Sequence, residues 1–229
     1  MTQIHAHHKL ILFDLDGTLL DTLEDLSEAV NYALEKRGLP LHTVAEYRRM
    51  VGHGVRNLVQ QAIEQTPGQG NESHRASDAL IDETLADFKA YYQAHIDVHT
   101  HPYPGIPELL TDLQAQGVQM AVASNKFQEG TEYLIQRFFP GIRFVSILGN
   151  RPGWPLKPDP EIVREVLRKA GVKQADAILV GDYPTDMKTA ANGGIEAIAV
   201  TWGYRTKEDL AGNRQVDSVL QLREVLTEP

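Results

Sequence analysis

The reading of this chain turns on Leu10-Ile11-Leu12-Phe13-Asp14-Leu15-Asp16-Gly17-Thr18. Four apolar residues in a row predict a buried strand, and Gly17 breaks it into a turn. Asp14 and Asp16 stand two residues apart at the strand's end. Side chains alternate faces with period two, so both carboxylates point the same way. Two like charges buried together cost free energy unless a cation lies between them or one carboxyl keeps its proton. A lone Asp-x-Asp also suits a polar strand end feeding a solvated turn. The rest of the chain decides between the two.

Downstream, residues 21 to 98 read as helix throughout. Thr22, with Asp25 three residues on, signals a capped start. Leu23, Leu26, Val30, Ala33 and Leu34 then recur at helical spacing until Gly38-Leu39-Pro40 stops the run. Thr43 and Glu46 form a second capping signal. Past the Gly52-His53-Gly54 turn a third helix carries Leu58, Val59, Ala62 and Ile63. A loop is expected from Thr66 to His74, then a long helix bearing Ile81, Leu85, Phe88 and Tyr92.

At His101-Pro102-Tyr103-Pro104-Gly105 the character changes. Strands predicted at 118–123, 144–148, 177–180, 195–200 and weakly 216–219 alternate with helices. Strand–helix–strand units of this length imply a parallel sheet. The organisation expected is an α/β core from residues 1–20 and 99–229, interrupted by a helical domain at 21–98.

Ligands of open parallel sheets bind beyond the carboxyl ends of the strands. Three predicted strands here end in polar residues: Asp14/Asp16, Ser124-Asn125, and Asp182 with Asp186 four positions on. Lys157 precedes a helix capped by Asp159 and should fall on the same edge. Each has an ordinary explanation by itself, but together they gather carboxylates, a hydroxyl and an ammonium at one rim. Aspartates in that number suit a hard divalent cation such as Mg²⁺, which binds through carboxylates, water and a substrate phosphate. Lysine and hydroxyl donors would hold the rest of the phosphate.

Composition agrees with such a protein. The chain has 229 residues, 42% hydrophobic and 23% charged, with 31 acidic against 22 basic side chains and a formal charge of −9. That balance argues against nucleic acid or an anionic membrane as the main partner. With no cysteine, disulfides, thiol catalysis and cysteine-ligated metals are excluded. No apolar run approaches the roughly 20 residues of a membrane helix, and Met1 to Lys9 is polar. A cytoplasmic location is expected.

Asp14-Leu15-Asp16-Gly17-Thr18, Ser124, Lys157, and Gly181-Asp182 with Asp186 resemble, in order and spacing, the motifs of the haloacid dehalogenase superfamily. Leu19-Leu20-Asp21-Thr22, Tyr103-Pro104-Gly105 and Thr201-Trp202-Gly203-Tyr204 look like its phosphoglycolate phosphatase branch. The resemblance implies a Rossmann-like core with a small α-helical cap, and a Mg²⁺-dependent phosphatase acting on a small phosphorylated metabolite. It makes Asp14 the nucleophile and Asp16 the acid and base. Lys157 would neutralise charge, and Thr18, Ser124 and Asn125 would join it in binding phosphate. Asp14, Asp182, Asp186 and the backbone carbonyl of Asp16 would serve the metal. A departure is Tyr183 after Gly181-Asp182, where the family usually has a small residue, and it could narrow the pocket or shift Asp186. In the cap, His53 and Arg56 are candidates for substrate specificity, though each also suits a solvated surface. His5, His7, His8 and His42 are expected at the surface. A sugar-phosphate mutase, a pyrophosphatase or a catalytically retired binding protein are the alternatives.

Overall fold

The computed structural model describes residues 8–65 and 75–227. The expected loop from Thr66 to His74, together with His5 and His7, lies outside them. Two compact units appear: Met1–Asp21 with Pro102–Pro229, and Thr22–His101.

Strand β1 (Leu10–Phe13) opens the first unit, and all four of its side chains are fully buried. Short strands β2 (Leu20–Asp21) and β3 (His101–Pro102) mark where the chain leaves for the helical unit and returns. Helix α1 (Leu23–Glu35) begins that unit, followed by α2 (Val44–Met50), α3 (Val55–Glu64) and α4 (Asp78–His95). The α/β unit resumes with α5 (Ile106–Ala115), β4 (Gln119–Phe127), α6 (Gln128–Phe138) and β5 (Ser146–Asn150). It continues with α7 (Glu161–Ala170), β6 (Ala177–Gly181), α8 (Pro184–Gly193), β7 (Glu196–Val200), β8 (Gln215–Val216) and α9 (Val219–Thr227).

The sheet runs β5-β4-β1-β6-β7-β8, with every pairing parallel. Because crossover helices cover the faces of a parallel sheet, a central strand such as β1 needs apolar side chains on both faces, which is why it reads as an unbroken apolar run. On one face Leu10, Leu12, Ala121, Ala123, Leu179 and Ala199 pack with Val163, Val166 and Ala190 of α7 and α8. Chain order reverses about β1: β4 and β5 lie on one side, β6 to β8 on the other. This is the switch point where a crevice forms.

Some expected boundaries move for local reasons. Strand β4 runs on to Phe127 through a register shift that pairs Phe127 with Asn150. Strand β5 begins at Ser146, two residues later than expected. The predicted strand at 216–219 stops at Val216, because Ser218 Oγ accepts a hydrogen bond from Gln221 N and starts α9.

In the helical unit the Thr43–Glu46 capping box forms as expected. Thr22 makes no side-chain cap. The Asp25 carboxylate is 2% exposed and accepts from the amides of His99 and Thr100 and from the Thr100 hydroxyl. His42 corrects another expectation, for it is buried. Its amide and carbonyl bond the side chain of Asn31, and its Nε2 lies 2.6 Å from the Ala62 carbonyl. Tyr47 Oη donates to the same Asn31.

Candidate active site at the carboxyl edge of the sheet

The strand register assembles the site. Phe13 pairs with Val122 on one side and Val180 on the other, so Asp14 falls level with Ala123 and Gly181. The Asp14 amide prolongs the ladder to the Val180 carbonyl at 2.9 Å. Ser124 and Asp182 follow one residue later on the flanking strands. Asp186 sits in the first turn of α8, where the helix N-terminus favours a negative charge.

Lys157 joins these groups. Its ammonium lies 2.9 Å from Asp14 Oδ1 and 2.6 Å from Asp186 Oδ1, and it donates to the Ala123 carbonyl at 2.8 Å. An ammonium has three donors, and all three are used. Burial opposes the charge on Lys157, yet Asp14 and Asp186 hold its proton more firmly than usual. The carboxylates show the converse strain. Burial, and then the charge of Asp186, push Asp14 up to about 7, with Lys157 pulling the other way. Burial, then Asp14 and Asp186, raise Asp182 well above the ordinary range.

Carboxylate oxygens of Asp14, Asp182 and Asp186 lie within 4.8 Å of one another. Three carboxylates against one ammonium leave two negative charges uncompensated when all are ionised. An all-oxygen donor set with that deficit fits a hard divalent cation. Asp16 adds no carboxylate to this cluster.

The chain closes tightly around Asp182, which is 1% exposed. Its Oδ2 accepts from the amide of Tyr204 at 2.7 Å. A Cβ at Gly17 or at Gly203 would overlap its carboxylate, so the close approach depends on both glycines, and Gly17 also has φ +84. Thr18 belongs to this shell. It is fully buried and its hydroxyl is directed at Asp182 Oδ1 at 3.4 Å. Thr18, expected to bind phosphate, is in this structure placed against a carboxylate of the site.

Ser124, Asn125 and Lys126 come from the irregular end of β4, and the last two each reach a different part of the site. Ser124 is buried, and its Oγ accepts from the Lys126 amide at 3.2 Å. Asn125 was expected to bind phosphate, but its side-chain amide is committed to Lys157. It accepts from the Lys157 amide at 2.8 Å and donates to the Lys157 carbonyl at 3.3 Å, which fixes the backbone that carries the ammonium. Lys126 Nζ lies 3.2 Å from Asp16 Oδ1, with the lysine side chain 3% exposed. Sequence reasoning missed Lys126. A lysine just past a strand end reads as a surface charge, and only the register shift turns it inward.

Tyr183 does not displace Asp186. Asp186 Oδ2 accepts from the Tyr183 amide at 3.1 Å, while the phenol receives a hydrogen bond from Arg205 at 2.5 Å and the guanidinium stacks 4.0 Å from the ring centroid. In the helical unit His53 is exposed. Arg56, expected as a partner for a substrate carboxylate, already carries ion pairs to Asp78 at 2.9 Å and to Asp82. His99 stands near Glu24 and Glu28 on the unit's surface, an exposed grouping of an ordinary kind.

Comparison with known proteins agrees with the geometry. The profile of the haloacid dehalogenase-like hydrolases matches residues 11–200. The chain is 33% identical over 221 residues to phosphoglycolate phosphatase 1 of Pseudomonas aeruginosa, covering 95% of this chain and 78% of that protein. It is 30% identical over 221 residues to a phosphoglycolate phosphatase of Vibrio parahaemolyticus, covering 95% and 96%. A phosphoglycolate phosphatase-like protein from Lactobacillus delbrueckii subsp. bulgaricus has a crystal structure that superposes with a TM-score of 0.89 at 33% identity, covering 96% of this chain and 99% of that one. The chain therefore belongs to the haloacid dehalogenase-like hydrolases, as a phosphatase of the phosphoglycolate phosphatase-like branch.

Proposed function

We propose that this protein is a Mg²⁺-dependent phosphatase that hydrolyses 2-phosphoglycolate, or a monoester much like it, through a phosphoryl group carried on Asp14. The observation that carries this reading is the buried group of Asp14, Asp182 and Asp186 at the sheet's carboxyl edge, with Lys157 bridging Asp14 and Asp186. The names of the relatives support the substrate.

Asp14 attacks phosphorus, forming an oxygen–phosphorus bond as the ester oxygen–phosphorus bond breaks. Asp16 gives a proton to the departing alkoxide. It then takes a proton from the water that attacks the same phosphorus and returns Asp14 to its carboxylate, releasing inorganic phosphate. Lys157, held against Asp14, stabilises the negative charge that gathers on the phosphoryl oxygens. Ser124 and the backbone amides after Asp14 bind those oxygens. Asp14, Asp182 and the carbonyl of Asp16 would hold Mg²⁺, with Asp186 fixing its surroundings. Bound there, the cation supplies the positive charge that lets one anion approach another.

The test is phosphate release from a panel of esters, with and without Mg²⁺. The expected result is the highest kcat/KM on 2-phosphoglycolate, lost on chelation. Transfer of phosphate to a second hydroxyl without net release would instead favour a mutase, and silence across the panel a binding protein.

A further inference from the structure

We propose that Lys126 is the specificity-determining cation of this site, pairing with a carboxylate on the leaving group. The proposal rests on the substrate class put forward above. The phosphate end of the site is occupied by the deep group of Asp14, Asp182, Asp186 and Lys157, whose ammonium already uses all its donors. The leaving-group end belongs to Asp16, which must come within hydrogen-bond reach of the departing oxygen. Lys126 Nζ is 3.2 Å from Asp16 Oδ1. An oxygen in contact with Asp16 is thus within about 6 Å of that ammonium. In 2-phosphoglycolate a single methylene separates this oxygen from the carboxylate, so the second anionic group falls in the reach of Lys126's flexible stem.

Burial strengthens the assignment. The Lys126 side chain is 3% exposed, and an ammonium so enclosed is costly unless a negative charge faces it. In the structure that charge is Asp16. When the substrate enters, its carboxylate offers a second one, and Lys126 shares itself between them. Arg56 already bears two ion pairs within the helical unit. Arg205, next to the site through Tyr183, is stacked on that ring with a hydrogen bond to the phenol. It is the natural control.

The experiment compares kcat/KM for 2-phosphoglycolate with that for 2-hydroxyethyl phosphate, which is alike in size but carries no carboxylate. It is run on the wild type, Lys126→Met, Lys126→Arg and Arg205→Met. Lys126→Met should slow both esters, since Asp16 loses its partner, and should lower the ratio of the two by on the order of 100-fold. Lys126→Arg should restore part of the ratio, and Arg205→Met should leave it near the wild-type value. The ratio does not depend on the active fraction, so partial misfolding of a variant cannot imitate the effect. An unchanged ratio in Lys126→Met, or a collapse in Arg205→Met instead, would overturn the proposal. A wild type with no preference for 2-phosphoglycolate would overturn the substrate reading beneath it.

Discussion

The two units bury polar groups in different ways. In the helical unit Asn31, His42 and Tyr47 satisfy one another and the Ala62 carbonyl, while Asp25 is answered by two amides and a hydroxyl. Its ion pairs, Arg56 with Asp78 and Asp82, and Lys36 and Arg37 with Asp87, lie toward solvent. At the sheet edge of the α/β unit, three carboxylates crowd one ammonium out of water, and two of the three are driven up in pKa. Polar groups matched one to one maintain a fold. An unmatched set of like charges is unstable by itself, and it persists where a cation and a substrate complete it.

Substitutions separate these two kinds of burial. Asp14→Asn keeps the size and the hydrogen bonds but removes the proposed nucleophile, and should lower kcat on a phosphate ester by at least ~10⁴-fold. Residual turnover within tenfold of wild type would contradict its role. Lys157→Met leaves the carboxylates without their ammonium, which is 2% exposed. The loss expected in urea denaturation is about 3–5 kcal/mol without added metal, part of it recovered with Mg²⁺. Asp182→Asn should behave in the opposite sense. It relieves repulsion, so the metal-free melting temperature holds or rises. The stabilisation expected for the wild type on adding Mg²⁺, about 2.7 kcal/mol at a hundredfold excess over its dissociation constant, should be absent. His42→Ala breaks a matched set in the helical unit and should cost about 1–3 kcal/mol with kcat unchanged. A fall in kcat of tenfold would make the helical network more than structural.

What the sequence disclosed follows the same division. Asp14, Lys157, Asp182 and Asp186 could be named in advance because each lies at a strand end or helix start, and parallel topology sends all such ends to one edge. The apolar run of β1 and the periodicity of α1 and α4 were equally plain, since burial writes itself into residue spacing. What stayed hidden depended on the third dimension. Lys126 turns inward through a register shift that no local pattern announces. Gly17 and Gly203 matter for the side chain they leave out, against Asp182. Thr18 and Asn125 carried the right chemistry for phosphate, but the structure engages them with Asp182 and Lys157. Asp25 looked like a helix cap because its spacing from Thr22 was right, yet the amides of His99 and Thr100 claimed it.

The central claim is that the phosphoryl group passes through Asp14 on its way to water. The stereochemical course at phosphorus, followed with a phosphorothioate ester made chiral by sulfur and two oxygen isotopes and hydrolysed in water carrying the third, tests it most directly. Two successive in-line displacements, one by Asp14 and one by water, predict retention of configuration. Inversion would mean that water attacks the ester directly, and would contradict the account.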